Sequence, residues 1–202
     1  MTAGQMAKGT RLSWFRDYLP AGQLVLDASV LLNVLGCGAI EDVLGALSGP
    51  CLVEDKVLGE IQRHPVPSLC HLTALQALIK SGYLARVTMT DAEYALYLSM
   101  VQAPLGVRLD AGESATLAIA NSRGHAVVMD ENKGRRYLAE RFPNMEAASS
   151  LTLFISATFR FGRDRVFLRN AVLSARNTAR MAVPRDQREL LLDVVRNEFP
   201  PA

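Results

Sequence analysis

Long apolar runs are missing from this 202-residue chain. No window nears the roughly 18 uninterrupted apolar residues of a membrane span. The best of them, Leu151 to Phe159, is broken by Thr and Ser. Cysteine is scarce: Cys37, Cys51 and Cys70 stand far apart in apolar surroundings and form no CxxC or zinc spacing. Reduced core thiols are the expectation. The three histidines, His64, His71 and His125, also show no ligand spacing. The single Trp14, beside Phe15 and Tyr18, is expected to dock the N-terminal segment on the core rather than stack a base. A secretory leader is not expected, because Lys8, Arg11, Arg16 and Asp17 interrupt any apolar start. Together these shortages favour a cytoplasmic protein with no membrane association.

What is present suits a globular fold. Half of the residues are hydrophobic and 21% are charged, which argues against disorder. At 22.0 kDa the chain can build one domain with a sizeable core and a helical appendage. Net charge is only +2, but it is unevenly spread. Residues 1–22 carry +2, residues 23–150 carry −4, and residues 151–202 carry +4 from nine Arg against five acids. An acidic centre between arginine-rich ends suits a metal cleft that receives a polyanion. Solvated arginine faces on ordinary helices would give the same tally.

Two apolar runs, Gln23–Leu26 and His125–Met129, each end abruptly in an aspartate, Asp27 and Asp130. A short run that is apolar on both faces reads as a buried strand of a parallel sheet. Helix-like patterns follow both. Further strands are expected at Cys51–Val53, Tyr83–Met89 and near Glu146–Ala148. Helices are expected at Ser29–Val34, Ala39–Leu47, Glu54–His64, His71–Lys80, from Thr90 to about Val101, from Asp110 to Gly124, and at Asn132–Arg141. Everything after Leu151 reads as helical. Strands alternating with helices imply right-handed crossovers and an α/β fold with a mainly parallel central sheet. The expected organisation is an N-terminal segment packed on the core (1–22), an α/β domain (23–150) and a C-terminal helical extension (151–202).

The chemistry lies in the acids. Ligands of open α/β sheets bind beyond the carboxyl ends of the strands, so Asp27 and Asp130 would share one edge. Carboxylates that converge there repel unless a cation sits between them or one takes a proton. Glu60, in the helix after the second strand, and the pair Asp110 and Glu113, three apart on a helix's first turn, extend the set. Several hard oxygen donors with no His or Cys favour Mg²⁺ or Mn²⁺ over zinc. Such a site can activate water and neutralise a phosphodiester under attack.

These residues resemble a known family. Asp27-Ala28-Ser29-Val30-Leu31-Leu32-Asn33 is similar to the opening motif of PIN-domain nucleases. Leu109–Ala115 and Val127–Arg136 resemble the third and fourth acidic motifs of that family. The resemblance covers about residues 23–150. It implies a three-layer α/β/α sandwich and divalent-metal-dependent endoribonuclease activity, with Mg²⁺ or Mn²⁺ as cofactor. It also implies, by similarity to the toxins of VapBC pairs, a homodimer and a cognate antitoxin protein. On this resemblance Asp27, Glu60, Glu113 and Asp130 are the catalytic metal ligands, and Asp110 could share or replace the third role. Ser29 supports the first Asp or a bound water. Lys133, Arg135 and Arg136, nearest in sequence to Asp130, would hold RNA phosphates. Hydrolysis would leave 3′-hydroxyl and 5′-phosphate ends.

Blander readings attach to the same residues. Asp110 and Glu113 form a helix-capping arrangement, Asp130 and Ser29 are plausible caps, and Glu60 could be a solvated helix residue. Two rival functions stay open. A phosphatase with an aspartyl nucleophile would want a second Asp two residues past Asp27, where Ser29 stands. A non-catalytic PIN-like module binding RNA or protein would have no use for so many acids.

Overall fold

The short apolar runs assemble into one parallel sheet. A computed structural model describes residues 19, 20, 22–63 and 71–196. His64, Cys70, the aromatic group at 14–18 and nearly all of segment 1–22 lie outside the described residues. Strands β1 (Leu24–Leu26), β2 (Cys51–Glu54), β3 (Leu84–Val87), β4 (Ala126–Val128) and β5 (Ala147–Ala148) are joined in the order β3-β2-β1-β4-β5. Every neighbouring pair is parallel, with Val25 level with both Leu52 and Val127. β2 runs one residue further than expected, because Glu54 still pairs with Val87. β3 is shorter than the expected Tyr83–Met89, because only residues 84–87 stand in register with β2.

Side chains alternate between two cores. Leu24, Leu26 and Val128 face a cluster with Leu31, Phe154 and Val172. Val25, Val127 and Met129 face another with Met100, Leu117 and Leu138. The first layer holds α1 (Ala28–Gly36), α2 (Ile40–Gly45), α8 (Ser150–Arg160) and α9 (Arg165–Ala179). The second holds α5 (Asp91–Val101), α6 (Ala111–Arg123) and α7 (Asn132–Arg141). Residues from α3 (Asp55–Arg63) and α4 (His71–Lys80) also enter the first core. The result is a three-layer α/β/α fold.

Helix ends follow local chemistry. Thr90 and Glu93 close a reciprocal capping box on α5, and Asp110 and Glu113 close another on α6. Gly124 ends α6 at φ 65°, a left-handed turn that glycine makes without strain. The arginine-rich tail packs on the core: Leu151, Leu153, Phe154 and Ile155 of α8 are fully buried. α9 lies against α1, its Ser174 hydroxyl donating to the Gly36 carbonyl at 2.8 Å. A Cβ at Gly36 would stand 3.1 Å from that of Ala179. A 3-10 turn (Arg185–Gln187) and α10 (Arg188–Arg196) complete the described chain. No described helix is long and apolar enough to cross a membrane.

Candidate active site

Strand order reverses between β1, which leads to β2, and β4, which lies on its other side. Such a switch point opens a crevice at the strands' carboxyl ends. Asp27 and Asp130 stand there, 3% and 5% exposed. The Asp27 N–H donates to the Val128 carbonyl at 3.1 Å, fixing the register of the two strand ends. A cleft of about 450 Å³ at this edge is lined by Asp27, Glu60, Asp110, Asp130 and Glu131. Acids from four separate stretches of chain therefore meet at one opening.

The two aspartates are held differently. Ser29 donates its hydroxyl to Asp27 Oδ2 at 2.8 Å. Burial nevertheless pushes the Asp27 carboxyl up to about 7, and the charges of Asp110 and Glu113 add to that rise. Asp130 accepts from the Ser150 N–H at 2.9 Å, from the Ser150 hydroxyl at 2.5 Å and from Asn33 Nδ2 at 2.9 Å. Its pKa too is raised by burial, against the pull of those donors. Asp130 thus ties the end of β4 to α1 and to the first turn of α8.

The helix-capping reading of Asp110 and Glu113 is realised, and it does not exhaust their chemistry. The Glu113 N–H donates to Asp110 Oδ1 at 2.8 Å, and the Asp110 N–H donates to Glu113 Oε2 at 3.2 Å. The other Glu113 oxygen, Oε1, is buried and makes no hydrogen bond among the described residues. Asp110, Glu113 and Glu131 each offer an oxygen within 4.8 Å of the others. Burial and the neighbouring Asp110 charge push Glu113 up to about 7, and Glu131 raises it further. Two glycines leave room for this crowding. A Cβ at Gly112 would lie 2.6 Å from Glu60 Oε2 and 3.7 Å from both Asp110 Oδ1 and Asp27 Oδ1. One at Gly134 would press on Met129 Sδ and stand 2.8 Å from Glu113 Oε1.

The basic residues after Asp130 part ways. Arg135 donates to the carbonyls of Met129 and Ala148 at 3.2 and 3.1 Å, bracing the ends of β4 and β5. Arg136 faces Glu140 one helical turn on, at 4.0 Å. Lys133 is exposed and its charge lowers the pKa of Glu113 and Glu131.

Sequence reasoning gave no role to Glu131, Asn33 or Ser150, although the first two sit inside the quoted motifs. It also passed over Glu54, a buried carboxylate at the end of β2 that accepts the Lys56 N–H. For the two glutamates, a carboxylate at or just past a strand end was the available signal.

A family model described as a PIN domain matches residues 23–143, more than half of the chain. The chain belongs to the PIN-domain family. None of the curated proteins compared matches it. PIN domains are generally nucleases that use divalent metals, and this PIN domain carries an acidic cluster where that chemistry needs one.

The cluster fits a hard cation. Its donors are carboxylate oxygens with no His or Cys among them, as Mg²⁺ and Mn²⁺ prefer. Its member Glu113 and the neighbouring Asp27 both rise to about 7, so a positive charge placed among them would be favoured. Most directly, a buried carboxylate oxygen is left without a donor, a costly arrangement that a cation would satisfy.

Proposed function

We propose that this PIN domain is a divalent-metal-dependent endoribonuclease that hydrolyses phosphodiester bonds. The observation that carries the reading is the bare Glu113 Oε1, buried among acids that converge from separate elements. Asp110, Glu113 and Glu131 would hold the cation, with Asp27, Glu60 and Asp130 completing the acidic wall. Bound there, Mg²⁺ or Mn²⁺ supplies charge neutralisation and activation of water for attack on phosphorus.

The chain's own residues prepare that chemistry. Ser29 orients the Asp27 carboxylate through its 2.8 Å hydrogen bond. Burial raises the Asp27 carboxyl to about 7, so a cation bound beside it would displace a proton near neutral pH. Asn33 and Ser150 fix Asp130 in one position. Lys133, exposed beside the cluster, can meet a flanking phosphate. RNA as the substrate, a homodimer and a toxin role with a cognate antitoxin follow from the resemblance of the motifs to VapBC toxins. The phosphatase reading is disfavoured because Ser29 hydrogen-bonds Asp27 where that chemistry wants a second acid.

The test is cleavage of a loosely structured RNA by purified protein with Mg²⁺, Mn²⁺ or EDTA, beside Asp27→Asn. Metal-dependent cutting to 3′-hydroxyl and 5′-phosphate ends, lost in the variant, is expected. Ends bearing 2′,3′-cyclic phosphate, or unchanged cutting by the variant, would contradict the mechanism.

A further inference from the structure

The cleft has one wall that the family match does not reach. Residues 179–183, beyond the matched span 23–143, contribute Ala179, Arg180, Ala182 and Val183 to its lining. Arg180 is the sole cationic residue among those that line the cleft, opposite five carboxylates. It is exposed, and among the described residues its guanidinium makes no hydrogen bond or ion pair.

Its backbone is as unusual as its setting. Arg180 closes α9 at φ 57° and ψ 38°, the only non-glycine residue at positive φ among those described. An L side chain costs energy there that glycine avoids, and the equivalent turn ending α6 does use glycine, Gly124. The turn itself therefore does not call for arginine. The left-handed turn brings residues 181–183 back over the sheet edge. The Arg185 N–H then donates to Asn132 Oδ1 at 3.1 Å, and the Ser149 hydroxyl donates to Gln187 Oε1 at 2.6 Å. Tight packing of Ala179 on Gly36 fixes Arg180 relative to the helix that begins after Asp27.

From this geometry we infer that Arg180 is a substrate-positioning residue that binds a phosphate of the RNA strand beside the cleaved bond. A cation can neutralise the reacting phosphate, and apart from Arg180 the cleft lining offers a neighbouring phosphate no cationic side chain. A guanidinium meets it with paired, charge-assisted hydrogen bonds. The inference rests on the nuclease reading, so its test must separate the two.

The experiment uses the full chain and its Arg180→Gly and Arg180→Lys variants with a fluorescent, mixed-sequence single-stranded RNA 20-mer. Binding is read in EDTA at stepped salt, and cleavage in Mn²⁺. Arg180→Gly should keep or raise Tm, because it relieves the turn. It should raise KM about tenfold with kcat within about threefold, and flatten the log–log salt slope of binding by about 0.7, one single-strand phosphate contact. Arg180→Lys should restore the salt slope but only part of the KM. Unchanged KM and salt slope in Arg180→Gly, or a fall in Tm alone, would overturn the inference. Wild-type protein that binds RNA without cutting it, while Arg180→Gly loses the contact, would refute the nuclease reading and uphold Arg180. Wild-type protein that neither binds nor cuts would refute both.

Discussion

Two capping boxes in this molecule use one motif to opposite ends. Thr90 with Glu93 and Asp110 with Glu113 each close a helix by the same reciprocal pair of hydrogen bonds. Glu93 and Glu113 are equally buried, each 2% exposed. Arg123 grips Glu93 with contacts of 2.6 and 2.9 Å and pulls its carboxyl down to about 2. Among the described residues Glu113 has no such partner. Acids surround it, one oxygen goes without a donor, and its carboxyl rises to about 7. The motif makes a helix start in both places. Whether it also makes a site depends on what stands opposite the glutamate.

The largest expected effect falls on the unpaired side. Glu113→Gln or Asp27→Asn should lower kcat for RNA cleavage by about 10²–10³, the scale of losing one transition-state electrostatic contact. Both metal-free variants should melt at or above the wild-type temperature, since each removes a repelled buried charge. A variant that melts lower yet cuts normally would assign Glu113 to capping alone.

On the paired side, Arg123→Ala should strand the Glu93 carboxylate and cost about 2–3 kcal/mol. For a chain of this size that is a fall in Tm of roughly 5–10 °C, readable by circular dichroism, with the catalytic rate of the folded protein unchanged.

The pH dependence should separate the two boxes again. The raised carboxyls of Asp27 and Glu113 add stability while protonated and lose it as pH rises from their ordinary values near 4 through about 7. Metal-free protein should therefore be less stable at pH 8 than at pH 5 by several kcal/mol, and Mn²⁺ should abolish the difference. The depressed carboxyl of Glu93 does the reverse: its contribution is complete above about 4.5 and is lost only as pH falls toward 2. Arg123→Ala should then remove an acid-side loss and leave the alkaline-side loss intact.

The smallest effect belongs to Ser29. Ser29→Ala should weaken Mn²⁺ binding about tenfold, the usual scale for removing a group that orients a metal ligand.

Much of the fold was legible because it is written locally. Apolar runs ending in Asp27 and Asp130 read as buried parallel strands, and helix α7 begins and ends where Asn132 and Arg141 were expected. Both capping boxes and the closing Gly124 could also be read from neighbours in sequence. Contacts at long range could not. Asn33 meets Asp130 from 97 positions away, and Gln187 meets Ser149 from 38. Nothing near Arg180 in the sequence says that it faces an acidic cleft. Arg135 looked equivalent to Lys133 from its place beside Asp130, yet it spends its guanidinium on two backbone carbonyls. The strongest difference between the two glutamates came from a partner, Arg123, thirty residues from Glu93.

The central claim is that the acids around Glu113 form a divalent-cation site, and calorimetric titration with Mn²⁺ near pH 7 tests it most directly. Wild-type protein should bind and release protons into the buffer, because Asp27 and Glu113 titrate near that pH, whereas Glu113→Gln should bind far more weakly. Equal binding by both proteins, or no binding by the wild type, would contradict the account.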